Sequence, residues 1–507
     1  MRTKKAFFNT LAGLIYQAVS ILCAFILPRI ILSNFGSDYN GVVSSINQFL
    51  SWVSVLSAGI GGITRAALYK PLAQKRIDQV SSIIKATDIF MKKIALIFLL
   101  LLIIFALGYP YLVADEFNFS FVSSLVLVLG INTFAQYYFG ITYQTLLEAD
   151  QRQYIYTFVR IVTTLAGTIA AAVLITLGLE IRVVYLISSL IYACNPVFLN
   201  LYVKYYYKLD KTAIPDNKSV KQRWDAFAQE LAIMINSNTD IIILTLFCNV
   251  KVVSVYTIYN MIINGVKQLL QTFTTGVGAA FGNMIAENKD NDYLDSNLKI
   301  FEFIVINVTT FLFAITAMTL VPFVQIYVRG VYDIDYTRNI FGYLITLAAM
   351  FNCYRIPYQT IVYAAGKFKE TKNGSIVEAT LNIVLSIVLV RRYELCGVVI
   401  GTLIAAIFRT CQYAIFLSKN IIKRSISIFI KNILISLLTC FISVIFFDFT
   451  IYSNVSNYFE WILLAIKAAI TVLVPLLLMD FLFYRKELNG FRQKFLNMLG
   501  INKSNLR

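Results

Sequence analysis

Arg29, Arg65, Arg160, Lys267, Arg355, Arg409 and Lys467 each fall inside a long apolar run. So do the acids Asp240, Glu302 and Glu378, with Asp480 near the end of another run. A charge held at the centre of a bilayer costs roughly 2.5–3.5 kcal/mol even on the lenient insertion scale, so such residues are kept for a reason. Lys467 and Arg65 stand near run ends, where a long side chain reaches water. Lys267, Arg355 and Arg409 lie deeper. The embedded bases outnumber the embedded acids, and a cavity with excess positive charge calls for an anionic ligand. Arg29, Arg65, Arg160, Lys267, Arg355 and Arg409 are the candidate contacts for its head group. Asp240, Glu302 and Glu378 are the candidate coupling acids. Asp240 follows Asn236-Ser237-Asn238-Thr239, a polar break in mid-run. A carboxylate beside cations can take up a proton or Na⁺ in one state and release it in another; the plainer reading is a fixed Asp240–Lys267 ion pair.

Two polar stripes accompany these charges. Asn40, Ser44, Asn47, Ser51, Ser54, Ala58, Gly61 and Arg65 step by three or four residues, which places them on one helical face. Thr257, Asn260, Asn264, Lys267, Gln271, Thr274 and Gly278 do the same further on. Small residues at this spacing serve helix packing and interhelical hydrogen bonds. Amides repeated over several turns around a cation fit a wet cavity better, with Asn40, Ser44, Asn47, Ser51, Asn260, Asn264 and Gln271 as its lining.

Other chemistry is missing. The chain has no histidine, which removes the commonest metal ligand and the usual general base. Its seven cysteines are dispersed, with neither a disulfide framework nor a zinc spacing. Gly366-Lys367 is followed by Phe368 and lacks the earlier glycine of a phosphate-binding loop. No insertion is large enough for an ATPase domain. The expectation is a protein that is not an enzyme, holds no cofactor or metal, and draws on a gradient of H⁺ or Na⁺.

The elements that must position these residues follow from composition. The 507 residues are 58% hydrophobic and only 14% charged, with a net charge of +17. Mean hydropathy is +0.71. Ordinary globular chains are about 45–50% apolar, so the chain reads as an all-α polytopic membrane protein. A nucleic-acid partner is not expected, because the bases sit in connections between apolar runs and not on one folded basic face. At about 20 residues per crossing, roughly fourteen spans emerge: 7–32, 39–64, 89–112, 119–145, 154–179, 183–203, 226–249, 252–283, 298–327, 339–365, 374–391, 397–418, 427–449 and 459–484. The N-terminus resembles a signal peptide, but Asn9, Gln17 and Ser20 interrupt it and no cleavage site follows, so it reads as an uncleaved first span. Lys70, Lys75, Arg76, Lys85, Lys92 and Lys93 flank one connection and Lys204, Lys208, Lys211, Lys218, Lys221 and Arg223 another. The positive-inside rule then places both termini in the cytoplasm. Ser33–Tyr39, Tyr111–Phe117 and Asp448–Glu460, on the other face, carry acids and no bases, whereas Arg391 and Arg392 are exceptions to the rule.

The chain also repeats itself. Tyr143-Gln144-Thr145-Leu146-Leu147-Glu148-Ala149 returns 215 residues later as Tyr358-Gln359-Thr360-Ile361-Val362-Tyr363-Ala364. Ala58-Gly59-Ile60-Gly61 matches Thr275-Gly276-Val277-Gly278, and Asp78 matches Asp295, both at an offset of 217. Six spans separate equivalent points, an even number, so the halves run the same way: a parallel repeat. The expected organisation is a first lobe of six spans over 1–205, a cytoplasmic linker at 206–224 and a second lobe of six spans over 225–420. Two further spans over 421–484 and a basic cytoplasmic tail, 485–507, complete it.

Read as an ordered set, several motifs resemble the polysaccharide or O-antigen flippases of the multidrug/oligosaccharidyl-lipid/polysaccharide (MOP) exporter superfamily. They are Pro28-Arg29-Ile30-Ile31-Leu32 with Gly36 and Tyr39-Asn40-Gly41, then Gly59-Ile60-Gly61. Asn238-Thr239-Asp240-Ile241-Ile242-Ile243 with Val255-Tyr256, Tyr363-Ala364-Ala365-Gly366-Lys367 with Asn382, and Gly397-Val398-Val399-Ile400-Gly401-Thr402 complete the set. The resemblance implies a MATE-like, V-shaped pair of six-helix lobes in the bacterial cytoplasmic (inner) membrane. It implies flipping of an undecaprenyl-diphosphate-linked oligosaccharide to the outer leaflet for surface polysaccharide such as O-antigen or capsule. Partners would be the lipid-linked oligosaccharide, membrane lipids, a polysaccharide polymerase and glycosyltransferases. A peptidoglycan-precursor (lipid II-type) flippase and a cation-coupled multidrug extruder are the alternatives on the same fold; a membrane-embedded glycan polymerase or ligase would need a large outer loop, and none is long enough.

Overall fold

The computed structural model describes residues 2–53, 60–210, 212–216, 239–274, 277–287, 290–450, 455–488 and 490. Its regular elements are all helical among the described residues: α1 (Arg2–Phe35), α2 (Ser37–Val53), α3 (Ile60–Ala73), α4 (Ile77–Gly108), α5 (Phe119–Ala135), α6 (Ile141–Ala149), α7 (Gln153–Thr176) and α8 (Ile181–Tyr207). Then follow α9 (Thr239–Phe247), α10 (Val250–Thr274), α11 (Val277–Ala286), α12 (Asn291–Tyr327), α13 (Asn339–Tyr354), α14 (Ile356–Ala364), α15 (Phe368–Asn420), α16 (Ser427–Thr450) and α17 (Tyr458–Phe483). Eight of the described helices are long and apolar enough to cross a membrane.

The expected span 339–365 is broken where the chain has a local reason to break. α13 ends at Tyr354, and α14 begins with Ile356-Pro357, whose proline has no N–H to continue the ladder. At the matching place in the first repeat, α5 passes into a π-type turn, Gln136–Gly140, before α6. The expected third span, 89–112, lengthens at its start: α4 already begins at Ile77, carrying Lys85, Lys92 and Lys93 as helical residues. The two spans expected at 374–391 and 397–418 form α15, a helical hairpin turning at Glu394 with φ 45° and ψ −120°. A Cβ on Gly397 would meet the Leu389 carbonyl, and one on Gly401 would meet the Ser386 side chain. Small residues four apart thus let the two arms of α15 close on each other. Asn382 Oδ1 accepts from Ser386 Oγ on its own arm at 3.1 Å and from Thr402 Oγ1 across the seam at 3.4 Å.

Both repeats end their sixth-element turn alike. Gln151 N–H donates to Glu148 O and Arg152 N–H to Leu147 O; 215 residues on, Gly366 donates to Tyr363 O and Lys367 to Val362 O. This is the Schellman arrangement, which needs a left-handed residue after the helix. Gln151 supplies it at φ 58° and Gly366 at φ 70°. The repeat read from side-chain identities is therefore a repeat of backbone hydrogen bonds.

The described chain divides into two compact units, 1–255 with 330–334, and 256–329 with 335–507. The first unit has two buried clusters at opposite ends of its bundle. One gathers Val42, Ile46, Phe98, Tyr109, Leu125, Val126 and Ile181; the other Leu68, Ile83, Tyr143, Leu146, Leu199 and Val203. Asp333 caps the start of α2, accepting from Ser37 N at 2.7 Å and Ser37 Oγ at 2.6 Å. Asn40 donates to Ser254 Oγ at 2.7 Å, and Gly41 lies so close to the Val250 carbonyl that no side chain fits there. In the second unit Ala314, Met318, Phe447, Leu464, Ala468 and Val472 tie α12, α16 and α17 together. The outer faces of α4 and α17 expose Leu96, Leu100, Ile104, Ile466, Val474, Leu478 and Phe481, a surface suited to acyl chains and not to water. The chain is a multi-pass membrane protein.

Candidate functional site: paired charges and polar helix faces

In the second unit the break between α13 and α14 sets Arg355 at the end of α13, where its side chain meets the hairpin α15. Arg355 Nη1 lies 2.8 Å from Glu378 Oε1, and Arg409 Nε 3.4 Å from Glu378 Oε2. Two guanidiniums therefore share one carboxylate. Arg409 is saturated: its Nη1 donates to the Thr371 carbonyl at 3.0 Å and to Gln412 Oε1, its Nη2 to Ser375 Oγ and Tyr413 Oη, each at 2.6 Å. The guanidinium also stacks over the Tyr413 ring, 4.0 Å from its centroid. Only 3% of the Arg409 side chain is exposed, against 23% for Arg355. Arg355 is the member of the trio that a ligand can reach. Lys267, on α10, lies within electrostatic reach of Cys353 together with Arg355, so the structure brings Lys267, Arg355, Glu378 and Arg409 into one region of the second unit.

The polar residues of α10 lie apart from its buried ones. Val255, Ile258, Tyr259, Ile263 and Leu270 are buried on one side. Asn264 and Gln271 are exposed on the other, with Asn260 and Lys267 half-buried. On α2, Asn47 is exposed and Ser44 and Ser51 half-buried, while Asn40 is buried in its bond to Ser254. Asn40 thus holds helices together within the first unit, the packing reading of such residues. Ser54 and Ala58 lie outside the described residues, as do Thr275 and Asn236-Ser237-Asn238 of the polar break; Asp240, half-buried, stands in the first turn of α9 in the first unit.

The remaining charges have separate stations. In the first unit Arg65 Nη1 lies 2.6 Å from Glu148 Oε2, and Glu148 also accepts from Gln144, which accepts in turn from Gln136. Arg160 stacks on Tyr16, 4.5 Å from the ring centroid, along the α1–α7 seam. Arg29 is half-buried on α1. Glu302, fully buried, is gripped through both oxygens by Arg424, which also stands 3.5 Å from Asp295.

Sequence reasoning missed Glu148, Arg424 and the hub at Asp150. Glu148 was visible inside the repeated heptapeptide, four residues after Gln144 and so on the same helical face. Nothing in the sequence ties residue 302 to residue 424. Asp150 gathers Lys5 Nζ at 3.1 Å, Arg152 Nε at 2.9 Å and Tyr207 Oη at 2.6 Å, fastening the start of α1 beside a cavity of about 690 Å³.

This arrangement of helices defines a class. The chain has the fold of solved membrane transporters. The solved lipid II flippase MurJ, in an inward closed conformation, aligns over 94% of this chain and 99% of its own, with 16% identity and a TM-score of 0.68. An inward-facing MATE family transporter of the MOP superfamily aligns over 80% of this chain and 98% of its own, with 12% identity and a TM-score of 0.62. A Vibrio cholerae MATE transporter gives 83%, 99%, 12% and 0.53 for the same quantities. No family model and no curated protein matches the sequence.

Proposed function

We propose that the chain is a MOP-type flippase that carries a lipid-diphosphate-linked oligosaccharide from the cytoplasmic to the outer leaflet of a bacterial cytoplasmic membrane, both its termini being cytoplasmic. The observation that carries this reading is the sharing of Glu378 by Arg355 and Arg409. One carboxylate cannot neutralise two guanidiniums, and the reachable one, Arg355, lies in the region of Lys267. A diphosphate supplies the missing negative charge, and Arg binds phosphate oxygens in its planar fork. The exposed amides of α2 and α10 offer donors and acceptors for sugar hydroxyls. Asp240 is the coupling carboxylate, taking up H⁺ or Na⁺ as the carrier alternates. Glycosyltransferases would deliver the substrate and a polymerase would consume it.

The MurJ structure spans more of this chain than the MATE structures do, which favours a lipid-linked cargo over a soluble drug. It also supports a second reading, a peptidoglycan-precursor flippase. Purified protein in vesicles, offered a fluorescent undecaprenyl-diphosphate oligosaccharide or a lipid II analogue, separates the two by which cargo crosses. Arg355→Ala and Lys267→Ala should each lose most of the flipping, and Asp240→Asn should flip without responding to an imposed ion gradient. Undiminished flipping in both base variants would remove the diphosphate reading.

A further inference from the structure

The other strongly buried carboxylates named above have a base beside them: Glu302 has Arg424, and Glu378 has Arg355 and Arg409. Among the described residues, Asp480, in the last turn of α17, has none. It is 5% exposed, and its Oδ1 and Oδ2 lie 3.0 and 3.1 Å from a single donor, Asn307 Nδ2 on α12. Among the described residues no lysine or arginine nitrogen stands within 4 Å of it.

The groups around it offer no compensation. On α12, Glu302 is a like charge already matched by Arg424. On α16, Lys431 donates to the Phe483 carbonyl at 3.2 Å and lies over the Phe483 and Tyr484 rings, and Asn432 accepts from Tyr484 Oη at 2.9 Å. Just beyond the helix, Tyr484 lies within electrostatic reach of Asp480 and Glu487, while Arg485 turns back to donate to the Phe481 carbonyl at 2.9 Å and stacks over the Phe481 ring. Asp480 also occupies the carbonyl end of α17, where the helix dipole disfavours negative charge. A carboxylate withdrawn from water without a cation neutralises itself instead of remaining charged.

We propose that Asp480 is a proton-binding site on the α12–α17 seam, neutral while α17 is seated on α12 and ionised only when that seam admits water. The site is separate from the cationic region and does not depend on which substrate is carried. Proton release and seam opening are then linked, since a proton that binds the closed form more tightly shifts the population toward it. The position near the helix end gives the proton a short path to water.

An apolar carbodiimide tests this on the full-length protein. The reagent adds the O–H of an un-ionised carboxyl across its C=N bond, and the adduct is read by peptide mass spectrometry. Asp480 should be modified at neutral pH and lose the adduct as pH rises, while the ion-paired Glu302 and Glu378 stay unmodified. Asn307→Lys, which sets an ammonium on the carboxylate, should abolish the adduct. Asn307→Leu, which removes the one donor favouring the ionised form, should keep the adduct to higher pH, and it serves if the lysine variant does not fold. The infrared band of an un-ionised carboxyl, lost in Asp480→Asn, reads the same state without reagent access. The absence of that band from the wild-type difference spectrum would overturn the proposal. So would suppression of labelling by Na⁺ but not by K⁺, because Asp480 would then hold a metal ion in place of a proton.

Discussion

Thr360 Cγ2 lies 3.3 Å from the point where a side chain on Gly278 would begin. In the first unit Thr145 Oγ1 stands 3.8 Å from the same point on Gly61. Both pairs join the motifs by which the repeat was recognised, so the repeated letters are the two faces of one helix contact made twice. Gln144 reaching Glu148 at 2.9 Å and Gln359 reaching Tyr363 at 3.0 Å extend the parallel. There the halves part: Glu148 is acidic and binds Arg65, whereas its counterpart Tyr363 is neutral and faces Tyr413.

The difference between the two contacts predicts unequal effects of alanine. Gly61→Ala meets only ordinary contact and should gain up to about 1 kcal/mol from helix propensity. Gly278→Ala must displace the Thr360 methyl and should gain less or lose stability. Adding Thr360→Ser, which removes that methyl, should bring Gly278→Ala level with Gly61→Ala in thermal unfolding of the detergent-solubilised protein.

Arg355 and Arg409 should separate by readout. Arg409→Ala leaves Glu378 with a weaker partner set and strands the groups around it, so unfolding temperature should fall, with a loss of about 3–5 kcal/mol expected for a broken buried pair. Arg355→Ala should keep more of the stability and lose lipid-linked substrate binding. Equal loss of stability in both variants would make Arg355 architectural too.

Glu302 and Arg424 form a buried pair, with Asp295 3.5 Å from Arg424, whose removal should be non-additive. Arg424→Met leaves Glu302 an uncompensated buried charge, a loss of about 3–5 kcal/mol, whereas Glu302→Gln leaves Arg424 with Asp295 at 3.5 Å and should cost less. The double variant should recover most of that loss, measured as a double-mutant cycle on thermal unfolding.

Glu116, in the connection between α4 and α5, gives a pH dependence. Its carboxyl is pushed above the usual range by desolvation first, then by Asp38 and Asp115. A carboxyl raised in the folded state adds stability where it is protonated, below its unfolded value, and that contribution is lost as pH rises through the raised value. Glu116→Gln should therefore raise the unfolding temperature at neutral pH, and the gain should vanish as pH falls below the ordinary glutamate range. A gain that is constant with pH would assign the effect to something other than the charge.

Composition and periodicity alone determined that this is a multi-helix membrane protein, because apolar runs of spanning length have no other stable use. The repeat was legible as well, since helix contacts such as Gly278–Thr360 require small and branched residues at fixed offsets along the chain. The stripe on α10 was legible for the same reason: a period of 3.6 sorts Asn264 and Gln271 from Ile263 and Leu270 whatever the neighbours are. Which charges remain available to a ligand was decided only in three dimensions. The sequence counted Arg409 with Arg355 as equals and set Glu302 and Glu378 beside Asp240 as acids of one kind. Pairing depends on side chains brought within a few ångströms from positions far apart in the chain, as Glu302 and Arg424 are. It also depends on burial, which removes the water that would otherwise screen them. Arg409 was consumed by α15's own hairpin and Glu302 by Arg424, while Asp480 met, among the described residues, the amide of Asn307 and no base, because tertiary packing and not residue type sets the partner each charge meets.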